Sequence, residues 1–108
     1  GLFGNFGQCA YAAAKEGIRG LSRVAATEWA KDGIGVFVIC PLAWTAQLEQ
    51  FEKAYPEAFK ANVKMPPAGH YANPELEIGR ALVKLADPDF KYMTGETLTL
   101  EGGMGLRP

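Results

Sequence analysis

Histidine is nearly absent: His70 is the only one in 108 residues, and Ser22 is the only serine. Cysteine is scarce as well, with Cys9 and Cys40 far apart and without metal-ligand spacing. These shortages argue against a His-rich metal centre and against a serine–histidine triad, so no metal is expected. Both cysteines read as reduced, buried thiols, with a disulfide between them as the minor alternative. No apolar run reaches the length that spans a bilayer and no secretory signal pattern is visible, which gives no reason to expect a membrane partner. Neither sign of charge dominates: 11 Lys and Arg stand against 12 Asp and Glu, net −1. The basic residues are scattered and leave no footprint for nucleic acid. The chain starts at Gly1 and not at Met, which reads as a terminus that was processed, cleaved or set by the choice of expressed segment. What remains is ordinary for a folded protein, 48% hydrophobic and 21% charged, with room for one domain.

The most informative stretch runs from Gln8 to Gly33. Alanine is abundant, no proline interrupts, and Ile18, Leu21, Ala25 and Trp29 recur at three- and four-residue steps. This is one long helix, with Gly33 placed for a left-handed stop. Tyr11 and Lys15, four residues apart, fall on one face, one turn from each other. A phenol ordinarily titrates near 10, and a neighbouring ammonium favours its ionised form, so such a pair can serve as a general acid/base. The alternative for Lys15 is an ordinary surface neighbour.

Residues 1 to 7 are glycine-rich and read as loop. After Gly33, the run Ile34 to Cys40 is nearly continuously apolar and rich in β-branched residues, the pattern of a parallel strand buried on both faces. Pro41 ends it. A second helical region is expected from about Thr45 to Asn62, carrying Phe51, Ala54, Tyr55, Ala58 and Phe59 as a stripe and breaking near Pro56. Residues 64 to 73 read as loop. A third helix runs from about Pro74 to Ala86: Pro74 suits the first turn, Glu75 and Glu77 favour its positive end, and Ile78, Leu82 and Leu85 face inward. Asp87-Pro88 closes it. Glu96 to Leu100 forms a short strand, followed by a Glu101-Gly102-Gly103 turn.

Several of these motifs coincide with one family. Gly4-Asn5-Phe6-Gly7-Gln8, Tyr11 and Lys15 with small residues between them, and Gly17 and Gly20 together resemble the active-site helix of the short-chain dehydrogenase/reductases. The wording is most similar to the (3R)-hydroxyacyl-CoA dehydrogenase branch. Tyr92-Met93-Thr94-Gly95-Glu96-Thr97-Leu98 with Glu101-Gly102-Gly103 resembles the family's last-strand motif, where Asp-Gly-Gly is commoner. The resemblance covers essentially the whole chain. It implies an α/β fold that is the C-terminal part of a Rossmann-like, doubly wound parallel sheet, here about three helices and two parallel strands, with residues 1–108 a partial domain whose N-terminal nucleotide-binding half is absent.

The same resemblance implies an NAD(P)-dependent oxidoreductase, cytoplasmic, interconverting a hydroxyl and a carbonyl of a small molecule, with acyl-CoA thioesters suggested by the branch. Tyr11 would exchange the proton at the reacting oxygen and stand among the cofactor contacts, and Lys15 would lower the phenol's pKa and hold the nicotinamide ribose. Pro41, Leu42, Ala43 and Thr45 stand where the family's Pro-Gly loop contacts the nicotinamide and the pyrophosphate. Leu42 replaces the usual Gly, and Thr45 stands one residue nearer the Pro than in most members. Thr45 reads equally well as a helix cap. Trp44 either lines a substrate pocket or is core.

No G-x-G-x-x-G in a strand–helix turn occurs here. The family's catalytic Ser should precede the Tyr, yet Ser22 follows Tyr11 and reads as a packing or surface residue. Two strands make a marginal sheet, the first strand would have an unpaired edge, and the long helix would expose apolar area. Two outcomes are therefore expected: a missing half that lies outside this sequence, or a homo-oligomer that covers these surfaces. Ala13, Gly17 and Gly20 would permit close helix approach, or pack within one subunit. Two functions stand side by side: the oxidoreductase, with the cofactor NAD or NADP in the complete enzyme, and a catalytically silent truncated module that self-associates or packs with other subunits. The isolated 108 residues are expected to be inactive, with no cofactor bound.

Overall fold

A computed structural model of the chain describes residues 8–105. The glycine-rich segment 1–7 and residues 106–108 lie outside the described residues. The chain divides into two units. The first comprises described residues 8–38 and 88–98, the second 39–87 and 99–105.

The first unit is built on α1, Cys9–Trp29, which continues as a short 3-10 turn, Ala30–Asp32. Gly33 ends it in the left-handed region at φ 76°, as its position in the sequence predicts. Its N–H donates to Ala30 O at 3.0 Å and the next N–H, of Ile34, to Trp29 O at 3.3 Å. These two bonds satisfy carbonyls that a helix end leaves open. α1 covers little of itself. Ala26 is buried and faces Gly95, where an added Cβ would sit 3.7 Å from the Ala26 methyl. Arg19 is buried too, its Nε 3.7 Å from Glu16 one turn back. Ile18, Leu21, Val24 and Trp29 are 47–71% exposed, so the expected apolar exposure of this helix is present. No described atom comes within 4 Å of a Cβ added at Gly17 or Gly20, so neither glycine serves close packing inside the described chain. Cys9, expected to be buried, is an exposed free thiol, because it opens a helix whose first turns are uncovered among the described residues. Cys40 is half-buried and forms no disulfide.

The strands β1 (Val38–Pro41) and β2 (Thr97–Leu100) pair in a two-stranded sheet and pass from the first unit into the second. Val38 N–H bonds Glu96 O and Leu42 N–H bonds Leu100 O, so both partners advance together and the pair is parallel. β1 is shorter than the apolar run suggested, and its residues are half-buried, with Pro41 exposed, where burial on both faces was expected. The reason is local. Val36 is held outside the ladder, its N–H on the Thr94 hydroxyl at 2.9 Å and its carbonyl on Gly95 N–H at 2.8 Å. Each strand also has a single strand neighbour among the described residues.

In the second unit Thr45 starts α2, Ala46–Ala54, by accepting the Leu48 N–H on its hydroxyl at 3.2 Å. Tyr55 interrupts the helix and Pro56 restarts it as α3, Pro56–Asn62, the break the sequence places there. Phe59 is the buried centre of the aromatic stripe, with Phe51 tilted against it at 6.0 Å and Trp44 edge-on at 5.9 Å. Tyr55 stays exposed. The third helical region begins as a π-helix, Pro74–Gly79, and only then becomes α4, Arg80–Leu85. Asn73 caps its start through Oδ1, which accepts the N–H groups of Glu75 and Leu76. Ile78 is buried and Leu85 half-buried, but Leu82 is exposed, against expectation. The wider π turn winds fewer degrees per residue, so a stripe read at 3.6 residues per turn does not carry through it. A 3-10 stretch, Pro88–Met93, returns the chain to the first unit. The glycine turn after β2 is as expected, with Gly102 at φ 60° and Gly103 at φ 88°.

Candidate active site

Tyr11 and Lys15 stand on the first turns of α1 with only Ala12, Ala13 and Ala14 between them. The helix brings them together: Lys15 Nζ lies 5.3 Å from the centroid of the Tyr11 ring, a cation over an aromatic face. Tyr11 is 59% exposed. Ser22 is not arranged for chemistry. Its hydroxyl donates to the Ile18 carbonyl at 2.7 Å, back along the helix, in line with its reading as a structural residue.

The segment Pro41–Thr45 belongs to the second unit, and the Tyr/Lys pair to the first. Pro41 is the last residue of β1. Leu42 N–H donates to Leu100 O at 2.9 Å, and Leu42 O accepts Ala72 N–H at 3.1 Å. Trp44 N–H then donates to Ala72 O at 2.9 Å, closing a parallel bridge between Ala43 and Ala72. In such a bridge the flanking residues make the bonds, so the N–H and C=O of Ala43 itself point to the opposite side. Thr45 is the helix cap that one of its two readings predicted, and its O–H proton remains free to donate. Trp44 is half-buried, edge-on to both Phe59 and Tyr71 at 5.9 and 6.2 Å.

One polar arrangement was not anticipated. His70 Nε2 lies 3.0 and 2.8 Å from the two carboxylate oxygens of Glu77. Glu77 raises the His70 pKa above its usual 6.5, first by hydrogen bonding and then by charge. The Glu77 pKa is lowered, first by the Asn73 N–H and then by His70. The pair borders a cavity of about 240 Å³ also lined by Ala68, Ala72, Ile78, Leu100 and Gly102. The signal for it was faint: a lone histidine ahead of a Pro-started, acidic helix start. Among the described residues no group of three or more His, Cys, Asp and Glu could hold a metal ion, and no helix is long and apolar enough to cross a membrane.

Residues 3–105 match the family model described as enoyl-(acyl carrier protein) reductase. The chain belongs to the short-chain dehydrogenase/reductase family. A 12alpha-hydroxysteroid dehydrogenase from a Clostridium species is 70% identical over all of this chain and 42% of its own length. A 3-oxoacyl-(acyl-carrier-protein) reductase from Vibrio harveyi is 39% identical over 96% of this chain and 41% of its own length. The (3R)-3-hydroxyacyl-CoA dehydrogenase of Canis lupus familiaris, from the branch that the sequence motifs suggested, is 35% identical over 96% of this chain and 39% of its own length. Among solved structures, Pseudomonas aeruginosa RhlG in complex with NADP superimposes with a TM-score of 0.75 at 29% identity, over 98% of this chain and 42% of its own. The 3-alpha-hydroxysteroid dehydrogenase of Pseudomonas sp. B-0831 with NADH gives 0.70 at 26% identity, over 88% and 37%. The chain thus spans about two fifths of the length of the relatives it matches.

Proposed function

We propose that this chain is the part of an NAD(P)-dependent short-chain dehydrogenase that carries the proton-transfer pair and the nicotinamide side of the cofactor site. Its substrate is a hydroxysteroid. The observation that carries the substrate class is the 70% identity, along the whole chain, to a 12alpha-hydroxysteroid dehydrogenase. Thioester relatives match at 32–39%.

The residues present suit a dinucleotide. The outward N–H and C=O of Ala43 form a donor–acceptor pair complementary to a carboxamide, and the bridge to Ala72 fixes them. The Thr45 hydroxyl, at the start of α2, offers a donor to phosphate oxygen. The Lys15 ammonium offers three donors to ribose hydroxyls. When bound, nicotinamide takes up or gives the hydride at the substrate carbon. In the oxidising direction the substrate hydroxyl passes its proton to the Tyr11 oxygen, and its C–O bond becomes a carbonyl as hydride leaves the same carbon. In the reverse direction Tyr11 returns that proton to the carbonyl oxygen. Lys15, one turn away, stabilises the negative charge on the Tyr11 oxygen while the proton is away.

Residues 1–108 are read as a partial domain, from active-site helix to last strand. Turnover by these residues on their own is not expected. The exposed Ile18, Leu21 and Val24 are assigned to contact between copies of the protein, since α1 offers an apolar face that nothing described covers. The test of the substrate class is a comparison of kcat/KM for 12-hydroxysteroids and for 3-hydroxyacyl thioesters with the natural protein. A preference for the steroid is expected; a preference for the thioester would move the chain to the acyl branch.

A further inference from the structure

Within the second unit, Ala72 and Asn73 are gripped from two sides. On one side Ala72 N–H donates to Leu42 O and Ala72 O accepts Trp44 N–H, at 3.1 and 2.9 Å. On the other, Asn73 N–H donates to Glu77 Oε1 at 2.9 Å. The Asn73 side chain, in turn, caps the helical segment that carries Glu77, through Glu75 N–H at 3.0 Å and Leu76 N–H at 2.9 Å. His70 completes the second grip. An ionised carboxylate only accepts, so the approach of Nε2 to both Glu77 oxygens requires a proton on that nitrogen. The Ala68 backbone adds a hydrogen bond that also favours the charged ring. Two such partners suit the imidazolium and leave a neutral ring one proton short.

The electrical surroundings of His70 are simple. Lys64 and the Tyr71 phenol share its loop, Glu75 and Arg80 stand on the helical segments, and Glu101 follows β2. Among the described residues, Glu77 is the charge that acts on the ring. The Tyr71 hydroxyl is engaged by the Lys64 carbonyl at 2.8 Å.

We propose that His70 and Glu77 are positioning residues for the segment Leu42–Thr45: their ion pair holds Ala72–Asn73 in place, and Ala72 in turn holds Leu42 and Trp44, which present Ala43 and Thr45 to the dinucleotide. The proposal rests on the assignment of that segment to the cofactor. It makes the order of the segment depend on one proton. As pH rises and His70 becomes neutral, the charge attraction to Glu77 is lost and the ring has one proton to share between Glu77 and Ala68, so Ala72–Asn73 loosens and the bridge to Leu42 and Trp44 opens more often.

The experiment uses the natural protein with three variants, His70→Gln, His70→Arg and Glu77→Gln. It reads the ring titration of His70 (identified by its loss in His70→Gln), amide exchange at Ala72 and Trp44, and the Kd for NAD and NADP by calorimetry. His70 is expected to titrate above its usual value and to fall toward it in Glu77→Gln. The Ala72 and Trp44 amides should be protected at acid pH and exchange faster as pH rises through the His70 transition, after allowance for the intrinsic pH dependence of exchange. His70→Arg, a cation throughout, should keep that protection on the alkaline side, whereas His70→Gln should lose it everywhere. The Kd should weaken over the same pH interval. Protection at Ala72 and Trp44 that is independent of pH and unaltered in His70→Gln and Glu77→Gln would overturn the proposal. Protection that follows His70 while Kd for both nucleotides stays flat would uphold the grip and overturn the cofactor assignment.

Discussion

In the proposed function Thr45 joins structure and chemistry in a single hydroxyl. Its oxygen accepts the Leu48 amide and leaves the proton for a ligand. Thr45→Ala should destabilise the fold by about 1 kcal/mol, the usual worth of a cap, and weaken dinucleotide binding; Thr45→Ser should restore both. Thermal unfolding separates the first effect from calorimetry of the second. Tyr11 and Lys15 were legible from the sequence because a helix fixes the geometry of residues four apart whatever surrounds it. Thr45 as a cap was legible for the same reason: capping is decided within one turn. The His70–Glu77 pair was not. It depends on a chain reversal around Gly69, at φ 87°, and on a cap at Asn73, and neither shows in residue spacing. Cys9 was misjudged in burial because thiol chemistry says nothing about which face of α1 is covered.

At the scale of elements, packing in the second unit centres on Phe59 and Ile78, each 9% exposed. Phe59 receives Trp44 edge-on and Phe51 tilted, so Phe59→Ala removes a shared surface and should cost about 3–5 kcal/mol, read from denaturant midpoints. Gly102 is a second constraint. It sits at φ 60°, an added Cβ would come within 2.9 Å of the Ala68 side chain, and its carbonyl accepts the Ala68 N–H. Gly102→Val should therefore destabilise far more than a substitution at open Gly17, beyond the 1–2 kcal/mol that left-handed backbone alone costs. Stability should also respond to pH through His70 and Glu77. Raising the His70 pKa gives stability that is full below 6.5 and lost as pH rises through the folded value. Lowering the Glu77 pKa gives stability that is full above 4.5 and lost as pH falls through its folded value. The contribution of the pair is thus greatest between those two values, which a series of unfolding curves would show. Element types and most boundaries were legible because the stripes, prolines and glycines act locally. The extent of β1 was not, since a strand needs partners to lengthen it, and Val36 finds Thr94 and Gly95 instead. Nor was the π turn, whose wider winding put Leu82 outside.

At the scale of the molecule, the parallel strand pair, the overlap with solved short-chain dehydrogenases and the Tyr/Lys helix agree on one family. The family was legible in the sequence because its motifs combine glycines that shape backbone with a Tyr/Lys pair at a fixed helical spacing. The substrate class was not: the motif wording pointed to acyl-CoA thioesters, whereas the proposed hydroxysteroid rests on identity to a relative along the whole chain and not on a residue pattern. The apolar face of α1 has its own test. Leu21→Arg, at a residue 71% exposed, should leave folding intact and shift the native mass toward a single copy; an unchanged assembly would remove α1 from the interface. The sharpest test of Tyr11 as the proton carrier is Tyr11→Phe in the natural protein. Dinucleotide affinity should be kept, while steroid oxidation followed through nicotinamide reduction should fall by about 10²–10⁴-fold. Full turnover by Tyr11→Phe would remove Tyr11 from proton transfer.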